Sequence, residues 1–309
     1  MKVKVYLCQQ NKKLMQYTLI GSLGNITKPL ASTLIAAGHK VTIVSSSQEK
    51  STAIEAMGAT AAIGKIENIS FLTKVFTGKD AVYTMIPPFH NPTNWKEEIR
   101  GIGKNFAAAI RASGVKKIVN LSSIGAHMPE GCGPVTGIHF AELELNALPN
   151  VDIKHLRPAY FYPNLLQSIG MIKHAGFLGN NFGGDTPLPM THPNDIAAAA
   201  AEELTSLSFT GISIRYIVSD IRTSRQIASV LGAAIGKPQL PYVEFKDEDA
   251  LKGAIQAGLP EEIARNYTEM GVAIRTGQMA ADFLKNPVVT GKTKLEDFAK
   301  EFAAVYAKA

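Results

Sequence analysis

The chain has 309 residues, of which 46% are hydrophobic and 19% are charged, a balance typical of a globular protein with one large core or two unequal ones. No apolar run approaches the roughly 20 residues that span a bilayer, and residues 1–14 are too short and too polar for a signal peptide, so we expect a cytoplasmic protein. Four of the six net positive charges come from lysines within residues 1–14, and no basic run follows them, which argues against a nucleic-acid partner. The two cysteines, Cys8 and Cys132, form neither a disulfide framework nor a metal-binding pattern, so no metal is expected.

Apolar runs of strand length alternate with helix-length segments through the first 220 residues. The predicted strands are Gln16–Ile20, Lys40–Ser45, Thr60–Ile63, Ala81–Ile86, Lys117–Leu121, Asp152–Leu156 and Ser213–Val218. The predicted helices are Ile26–Ala37, Lys50–Met57, Ile69–Phe76, Trp95–Ala112, Ile138–Leu148 and Asp195–Leu204. Continuous apolar strands are typical of parallel sheets buried on both faces, so this alternation predicts a doubly wound, mostly parallel α/β sheet.

The pattern changes towards the C-terminus. The segments 223–236, 247–257, 261–275, 278–284 and 294–307 read mostly as helices, while the glycine- and proline-rich stretch Gly176–Met190 predicts a loop or small hairpin. We therefore predict a nucleotide-binding domain of residues 15–160 with about 191–220, and a smaller, mainly helical substrate domain of about 161–190 with 221–309. Residues 1–14 are predicted to be an extension that precedes a natural start at Met15.

A glycine-containing turn separates the first predicted strand from its helix. Gly21 and Gly24 give the pattern G-x-x-G, in which the first glycine allows a tight turn and the second lets backbone N–H groups approach a pyrophosphate at the helix N-terminus. The third glycine of the dinucleotide-binding fingerprint is replaced by Thr27. The residues expected to hold the pyrophosphate are Gly21, Leu23, Gly24, Asn25 and Ile26. An ordinary strand-to-helix turn without a ligand is the alternative.

The end of the second predicted strand indicates which cofactor is bound. An Asp or Glu there would accept hydrogen bonds from a free ribose 2′-hydroxyl and favour NAD. This chain instead has Ser45, Ser46 and Ser47, followed by Lys50. Hydroxyls and an ammonium group suit a 2′-phosphate, so NADP(H) is favoured over NAD(H). The alternative is a serine-rich turn that caps the next helix.

Six stretches carry a resemblance to a known family. They are LIGSLGNIT, DAVYTMIPP, VKKIVNLSS, IHFAELELNAL, IKHLRPAYFYPNLL and THPNDIA. In order and spacing they resemble the NmrA-like branch of the atypical short-chain dehydrogenases/reductases, which have a Rossmann fold. The resemblance covers residues 15 to about 305. It implies either an NAD(P)H-dependent reductase of quinones and related electrophiles, or a regulator that binds the cofactor without catalysis.

The same resemblance implies contacts for the rest of the cofactor. Gly64 and Lys65 would lie near the adenine, although many relatives have an Asp where Lys65 stands. The floor of the site and the surroundings of the nicotinamide would be formed by Ile86, Pro87, Pro88, Ser122, Pro158, Ala159 and Tyr160.

One expected catalytic pair is missing. Ordinary short-chain dehydrogenases use a Tyr that passes a proton to the carbonyl oxygen and a Lys four residues later that lowers its pKa. Between Ile118 and Ile153 the chain has no Tyr, Lys or Arg. His139 stands about where the Tyr would be, and Leu143 follows four residues on. His139 is therefore the candidate proton donor, with solvent or a purely structural histidine bonded to a backbone carbonyl as the alternatives.

Flat apolar side chains predict where an electrophile would stack. They are Phe89, His90, Trp95, Phe161 and Tyr162, some of which could instead be interface core. The favoured function is NAD(P)H-dependent reduction of a small, flat electrophile such as a quinone. The alternative is a non-catalytic NADP(H)-binding redox sensor that acts through a protein partner, and either reading leaves room for a homodimer. Cys132 lies in a glycine-rich loop that would expose it as a redox-sensing thiol.

Overall fold

The computed structural model describes residues 14–309, so the predicted extension lies outside the described residues except for Leu14. The strands are β1 (Gln16–Ile20), β2 (Lys40–Ser45), β3 (Thr60–Ile63), β4 (Ala81–Thr84), β5 (Lys117–Leu121), β6 (Asp152–Pro158), β7 (Tyr160–Phe161), β8 (Leu178–Asn180), β9 (Leu188–Thr191), β10 (Ile212–Ile217), β11 (Asp220–Arg222) and β12 (Tyr242–Glu244). The α-helices are α1 (Thr27–Ala36), α2 (Ser51–Ala56), α3 (Ile69–Phe76), α4 (Trp95–Ser113), α5 (Pro134–Asn146), α6 (Ile169–His174), α7 (Pro193–Ser206), α8 (Ser224–Ala234), α9 (Asp247–Gln256), α10 (Glu261–Arg275) and α11 (Leu295–Tyr306).

Seven parallel strands form the main sheet, in the order β10-β6-β5-β4-β1-β2-β3. Apolar side chains of α1, α2 and α7 pack on one face of this sheet, and those of α3, α4 and α5 pack on the other. This arrangement confirms the predicted doubly wound Rossmann-type sheet. The chain runs outward from β1 to β3 and then returns to place β4 on the other side of β1, which creates a crevice where such sheets bind their ligands.

A second apolar cluster lies beyond the carboxyl ends of the strands. It packs residues of α6, α8, α10 and α11 around two small sheets, β11-β9-β7 and β12-β8. The stretch Gly176–Met190 is not a hairpin, because β8 pairs with β12 and β9 pairs with β7 and β11. The mainly helical character predicted for the C-terminal part is present, whereas the exact domain boundaries remain a prediction.

Candidate functional site

A cavity of about 540 Å³, here called cavity A, lies at the carboxyl ends of β1 to β4. It is lined by the turn after β1, the start of α1 and the segments that follow β2, β3 and β4. Because β1 and β4 are neighbours whose connections leave in opposite directions, cavity A occupies the crevice at the switch point of the sheet.

The turn after β1 requires glycine at its first position. Gly21 has φ +119°, and a Cβ atom there would lie 2.4 Å from the Thr27 hydroxyl oxygen. Ser22 follows in the left-handed region with φ +54°, and its N–H donates to the Val44 carbonyl at 3.0 Å. Such a conformation is uncommon for a residue other than glycine. The turn is therefore held in a strained shape by its neighbours, and it lines cavity A.

Thr27 takes the place of the third fingerprint glycine. Its hydroxyl donates to the Ile20 carbonyl at 3.0 Å and is buried, so it ties the first turn of α1 to the end of β1. Within the described residues no side chain caps the N-terminus of α1, and its first turn carries no acid. Gly24, Asn25 and Ile26 bring this N-terminus to the wall of cavity A. A helix end of this kind, with its positive dipole end facing a cavity, is suited to bind a phosphate.

The charges around cavity A differ from the sequence prediction. Ser46 and Lys65 line it, whereas Ser47 and Lys50 do not. Ser45 also lines the cavity, but its hydroxyl is engaged within the protein: it accepts hydrogen bonds from the Ser22 hydroxyl at 3.0 Å and the Ser47 N–H at 3.2 Å. Glu67 adds one negative charge to the wall. Lys65 is thus the cation in the wall of cavity A, and a contact of Lys50 with the cofactor stays a prediction.

A second cavity of about 360 Å³, cavity B, continues from cavity A. The two share the wall residues Ile26, Met85, Pro87, Pro88, Phe161 and Asn164. Cavity B is mostly apolar, and three of the predicted stacking side chains, Phe89, Trp95 and Phe161, line it. Ile86, Ser122, Ala159 and Tyr160 line it as well.

A buried polar network lies directly behind Ser122. The Ser122 hydroxyl donates a short hydrogen bond to Glu142 of α5. Arg157 of β6 donates to both carboxylate oxygens of Glu142, from Nε at 3.0 Å and from Nη2 at 2.6 Å. The side chains of Glu142 and Arg157 are 5% and 6% exposed. Burial alone would lower the pKa of Arg157, but the hydrogen bonds and charge of Glu142 raise it above its ordinary value, so the guanidinium stays charged.

This network fixes what Ser122 can offer to a ligand. A hydroxyl has one proton and two lone pairs, and the proton of Ser122 is committed to Glu142. Towards cavity B the oxygen can therefore only accept a hydrogen bond. It suits a ribose hydroxyl or a carboxamide NH₂ and does not suit the carbonyl oxygen of an electrophile.

The face of α5 that meets the cavity is one residue away from the predicted one. Ile138 lines cavity B, and Glu142, four residues later, contacts Ser122. His139 is half-buried outside the lining, and its Nδ1–H donates to the Ala126 carbonyl at 2.8 Å. Leu143 is 52% exposed. The hydrogen bond to Ala126 is the one expected of a structural histidine. A role of His139 as proton donor stays a prediction, and His139 does not line cavity B.

Several other predicted site residues also lie elsewhere. Tyr162 is fully buried, stacks on Phe298 at 5.4 Å and donates to the Thr293 carbonyl, so the structure corrects it from pocket wall to core. The remaining residues that line neither cavity are Leu23, His90 and Pro158. Cys132 is buried rather than exposed, and burial raises the pKa of its thiol to about 12, which contradicts a redox-sensing role.

Sequence reasoning missed Asn164, which lies at the junction of the cavities. Asn164 lines both A and B, and its side chain makes no hydrogen bond within residues 14–309. Tyr160, which was predicted behind the nicotinamide, lines cavity B. Burial raises the pKa of Tyr160, which keeps the hydroxyl protonated. The position of Asn164 in the segment YFYPN was the available signal, because this segment also supplied Phe161.

Two further properties concern the part of the chain that the structure describes. In residues 14–309, no group of three or more His, Cys, Asp or Glu side chains is placed to hold a metal ion. None of the helices over the same range is long and apolar enough to cross a membrane.

Comparisons with known proteins agree with this geometry. Residues 21–143 match the model of the NAD(P)H-binding family. The chain is 26% identical over 289 residues to a (4-alkanoyl-5-oxo-2,5-dihydrofuran-3-yl)methyl phosphate reductase of Streptomyces griseus, covering 93% of this chain and 98% of the relative.

Two solved structures share the fold. An NADPH-dependent quinone oxidoreductase of Escherichia coli, complexed with NADPH, superposes with a TM-score of 0.77 at 19% identity, covering 92% of this chain and 99% of that one. NmrA, a negative transcriptional regulator solved in complex with NADP, superposes with a TM-score of 0.72 at 15% identity, covering 96% and 97%. The fold implied by the resemblance to NmrA-like Rossmann proteins is thus confirmed, and the family match covers residues 21–143 of the predicted nucleotide-binding domain.

Proposed function

We propose that this protein is an NAD(P)H-dependent reductase of a small, flat electrophile such as a quinone. The observation that carries the proposal is the continuity of the two cavities at the switch point of the sheet. Cavity A offers an uncapped helix N-terminus to phosphates, and the adjoining apolar cavity B is lined by flat side chains. A bound nicotinamide cofactor would supply the hydride that reduces the acceptor.

The residues of cavity A fit the nucleotide. The backbone at Gly21 and Gly24 leaves room for a pyrophosphate, which a Cβ at Gly21 would disturb through Thr27. Ser46 and Lys65 both line cavity A, and a hydroxyl and an ammonium group there would suit a 2′-phosphate, which supports NADP(H) over NAD(H). Ser122 would accept a hydrogen bond from the ribose or carboxamide of the nicotinamide half.

The residues of cavity B would orient the acceptor and stabilise its reduced form. Phe89, Trp95 and Phe161 offer surfaces for stacking on a ring. The Tyr160 hydroxyl and the Asn164 amide are hydrogen-bond donors at the same wall, so they can stabilise negative charge that develops on an acceptor oxygen. Solvent, rather than the Tyr and Lys of ordinary short-chain dehydrogenases, would return the proton.

The two reductases found in the comparisons support this substrate class. One is named for quinones and the other for an unsaturated five-membered lactone, and both rings are flat and conjugated. The phosphate in the name of the Streptomyces substrate has no counterpart here, because among the described residues no Lys, Arg or His lines cavity B.

The test is the decay of NADPH absorbance with purified protein and a panel of quinones, with NADH in parallel. We expect saturable turnover that is faster with NADPH. Tyr160→Phe should lower kcat/KM at least about tenfold, since it removes one donor to developing charge, whereas His139→Gln should leave it unchanged. A loss with His139→Gln alone would restore His139 as the donor. Tight NADPH binding without turnover would instead identify a cofactor-binding regulator.

A further inference from the structure

A third cavity of about 420 Å³, cavity C, opens from cavity B. Tyr160, Asn164 and Met270 belong to the walls of both. Cavity C lies between α9, α10 and the segment 179–182, and Phe182, Phe245 and Tyr267 give it aromatic walls. Cavities A, B and C therefore follow one another from the start of α1 to α9, and each shares wall residues with the next.

Helix α9 forms the roof of cavity C and packs unusually loosely. None of its ten residues is buried. Its cavity-facing residues, Ala250, Gly253, Ala254 and Ala257, are small and recur at helical spacing on one face. Most helices in proteins are stabilised by packing an apolar face, and this one faces a void.

The helix is nevertheless held in place at its first residue. Asp247 accepts hydrogen bonds from Arg275 at 2.7 and 2.8 Å and from the Asn181 amide at 2.9 Å. The void beneath α9 is thus maintained by an anchored helix, and an occupant could complete its packing.

The charges of the residues that line cavities B and C restrict which ligand can bind there. Within the described residues, no Lys, Arg or His lines cavity B or C, and Asp249 is the single charged residue in either wall. An anionic group would be desolvated there without a partner, which is costly. Asn164, Gln167, Asn180 and Thr268 add neutral polar groups. The walls therefore favour a neutral ligand.

We propose that cavity C binds the aliphatic chain of a neutral, alkyl-substituted acceptor whose flat ring lies in cavity B. This assignment rests on the proposed reductase function, because the ligand is an acceptor only if the protein reduces it. The volume equals roughly fourteen water-sized groups at about 30 Å³ each, so a chain of about ten carbon atoms fits. Each CH₂ group buried from water strengthens binding by a factor of about four.

The first experiment compares two quinones that differ only in the chain. With 2,3-dimethoxy-5-methyl-1,4-benzoquinone and its 6-decyl derivative, we expect kcat/KM to be at least about tenfold higher for the decyl compound. A derivative whose chain ends in a carboxylate should lose this advantage. Equal kcat/KM for the first two quinones would overturn the proposal while leaving the reductase function intact.

A variant that fills cavity C gives the matched test. A Cβ at Gly253 meets no atom within 4 Å, so Gly253→Phe places a ring beneath α9 without a clash at its base. Ile255→Phe is the control, because Ile255 lies on the same helix, is 41% exposed and does not line the cavity. Gly253→Phe should abolish the advantage of the decyl chain and keep turnover of the chain-free quinone. Retention of the decyl advantage in both variants would refute the assignment.

Hydrogen exchange separates failure of this inference from failure of the reductase proposal, because it needs no turnover. We expect 1-decanol to slow amide exchange in α9 of the unmodified protein and of Ile255→Phe, but not of Gly253→Phe. If no quinone is reduced and this protection is still seen, the reductase proposal fails and cavity C stands as a chain-binding site. Absence of protection in the unmodified protein would refute cavity C whatever the turnover assay shows.

Discussion

Replacing Glu142 by Gln should lower the thermal stability of the protein far more than Glu144→Gln, the same change two residues further along α5. Glu142 is the main counter-charge of Arg157, with two hydrogen bonds at 2.6 and 3.0 Å in a site where both side chains are about 5% exposed. The variant removes the charge and leaves the guanidinium buried. Asp282, at 3.5 Å from Arg157, is the remaining acid of the network.

The expected loss of stability follows from the burial of Glu142 and Arg157. Breaking a buried pair by neutralising one partner costs about 3–5 kcal/mol, because the other charge stays desolvated. Unfolding entropy of about 2.1 cal/mol/K per residue gives a chain of this size roughly 650 cal/mol/K, so each kcal/mol shifts Tm by about 1.5 °C. We therefore expect Glu142→Gln to lower Tm by about 5–8 °C.

Glu144→Gln is the matched control. Glu144 also accepts from an arginine at 2.8 Å, Arg100, but these two side chains are 24% and 39% exposed. A pair that solvent reaches contributes little to stability, so the control should lose no more than about 1.5 °C in Tm. Thermal unfolding followed by circular dichroism measures both. Equal shifts for the two variants would show that the pair of Glu142 and Arg157 is not the buried, charge-compensated unit described above.

Four other predictions follow from single residues. Gly21→Ala should weaken NADPH binding at least about tenfold, because the new Cβ would clash with the Thr27 hydroxyl oxygen in a turn of positive φ. Gly101→Ala is the control and should bind NADPH normally, because a Cβ there meets no atom within 4 Å. Equal Kd values for the two variants in a fluorescence titration would contradict this prediction. Lys65→Gln should weaken NADPH binding and leave NADH binding unchanged, and a parallel loss for both cofactors would argue against a contact with the 2′-phosphate. Cys132 should resist a thiol reagent at pH 8 until the protein unfolds, because burial raises its pKa to about 12; rapid labelling of Cys132 in folded Cys8→Ser protein would count against its burial. Burial lowers the pKa of His155 below 6.5, so the unfolded state binds the proton more readily than the folded state. The free energy of unfolding should therefore fall as the pH drops below about 6.5, by at most about 1.4 kcal/mol per pH unit for one group. His155→Asn should reduce that pH dependence in urea titrations, and an unchanged pH dependence would exclude His155 as its source.

The main sheet could be predicted because its strands are specified locally. Four strands, β1, β2, β3 and β5, have the predicted bounds, since each is an apolar run ended by glycine, serine or a polar turn. Helix α5 begins about one turn before the predicted start, at Pro134 rather than Ile138. Pro134 follows the glycine-rich stretch EGCG and looked like loop, yet proline is well suited to the first turn of a helix.

The small sheets could not be predicted in the same way. The strands β8 and β9 have three and four residues, and their partners β12 and β11 come at least 29 positions later in the chain. Nothing in the stretch Gly176–Met190 itself records those partners, so local turn signals suggested a hairpin instead. Pairing of this kind is decided by tertiary contacts that override local preference.

The site residues also differ in how far they could be predicted from local sequence. Backbone contacts such as those of Gly21 and Gly24 could be predicted because a strand, a turn and a helix follow one another directly in the sequence. The role of Ser122 depends on Glu142, which is 20 residues away, and on Arg157, which lies on the next strand. A one-residue difference in the face of α5 places Ile138, rather than His139, in the wall of cavity B, with Glu142 behind Ser122.

One signal for that network was nevertheless present in the sequence. An arginine inside a strand that is covered on both faces cannot remain unpaired, because a buried charge without a partner is too costly. Arg157 lies in such a strand, β6, and the preceding crossover between Ile118 and Ile153 contains few acids. Of these, Glu142 is the one at helical spacing from Ile138, so the pair could have been inferred by asking which carboxylate must neutralise Arg157.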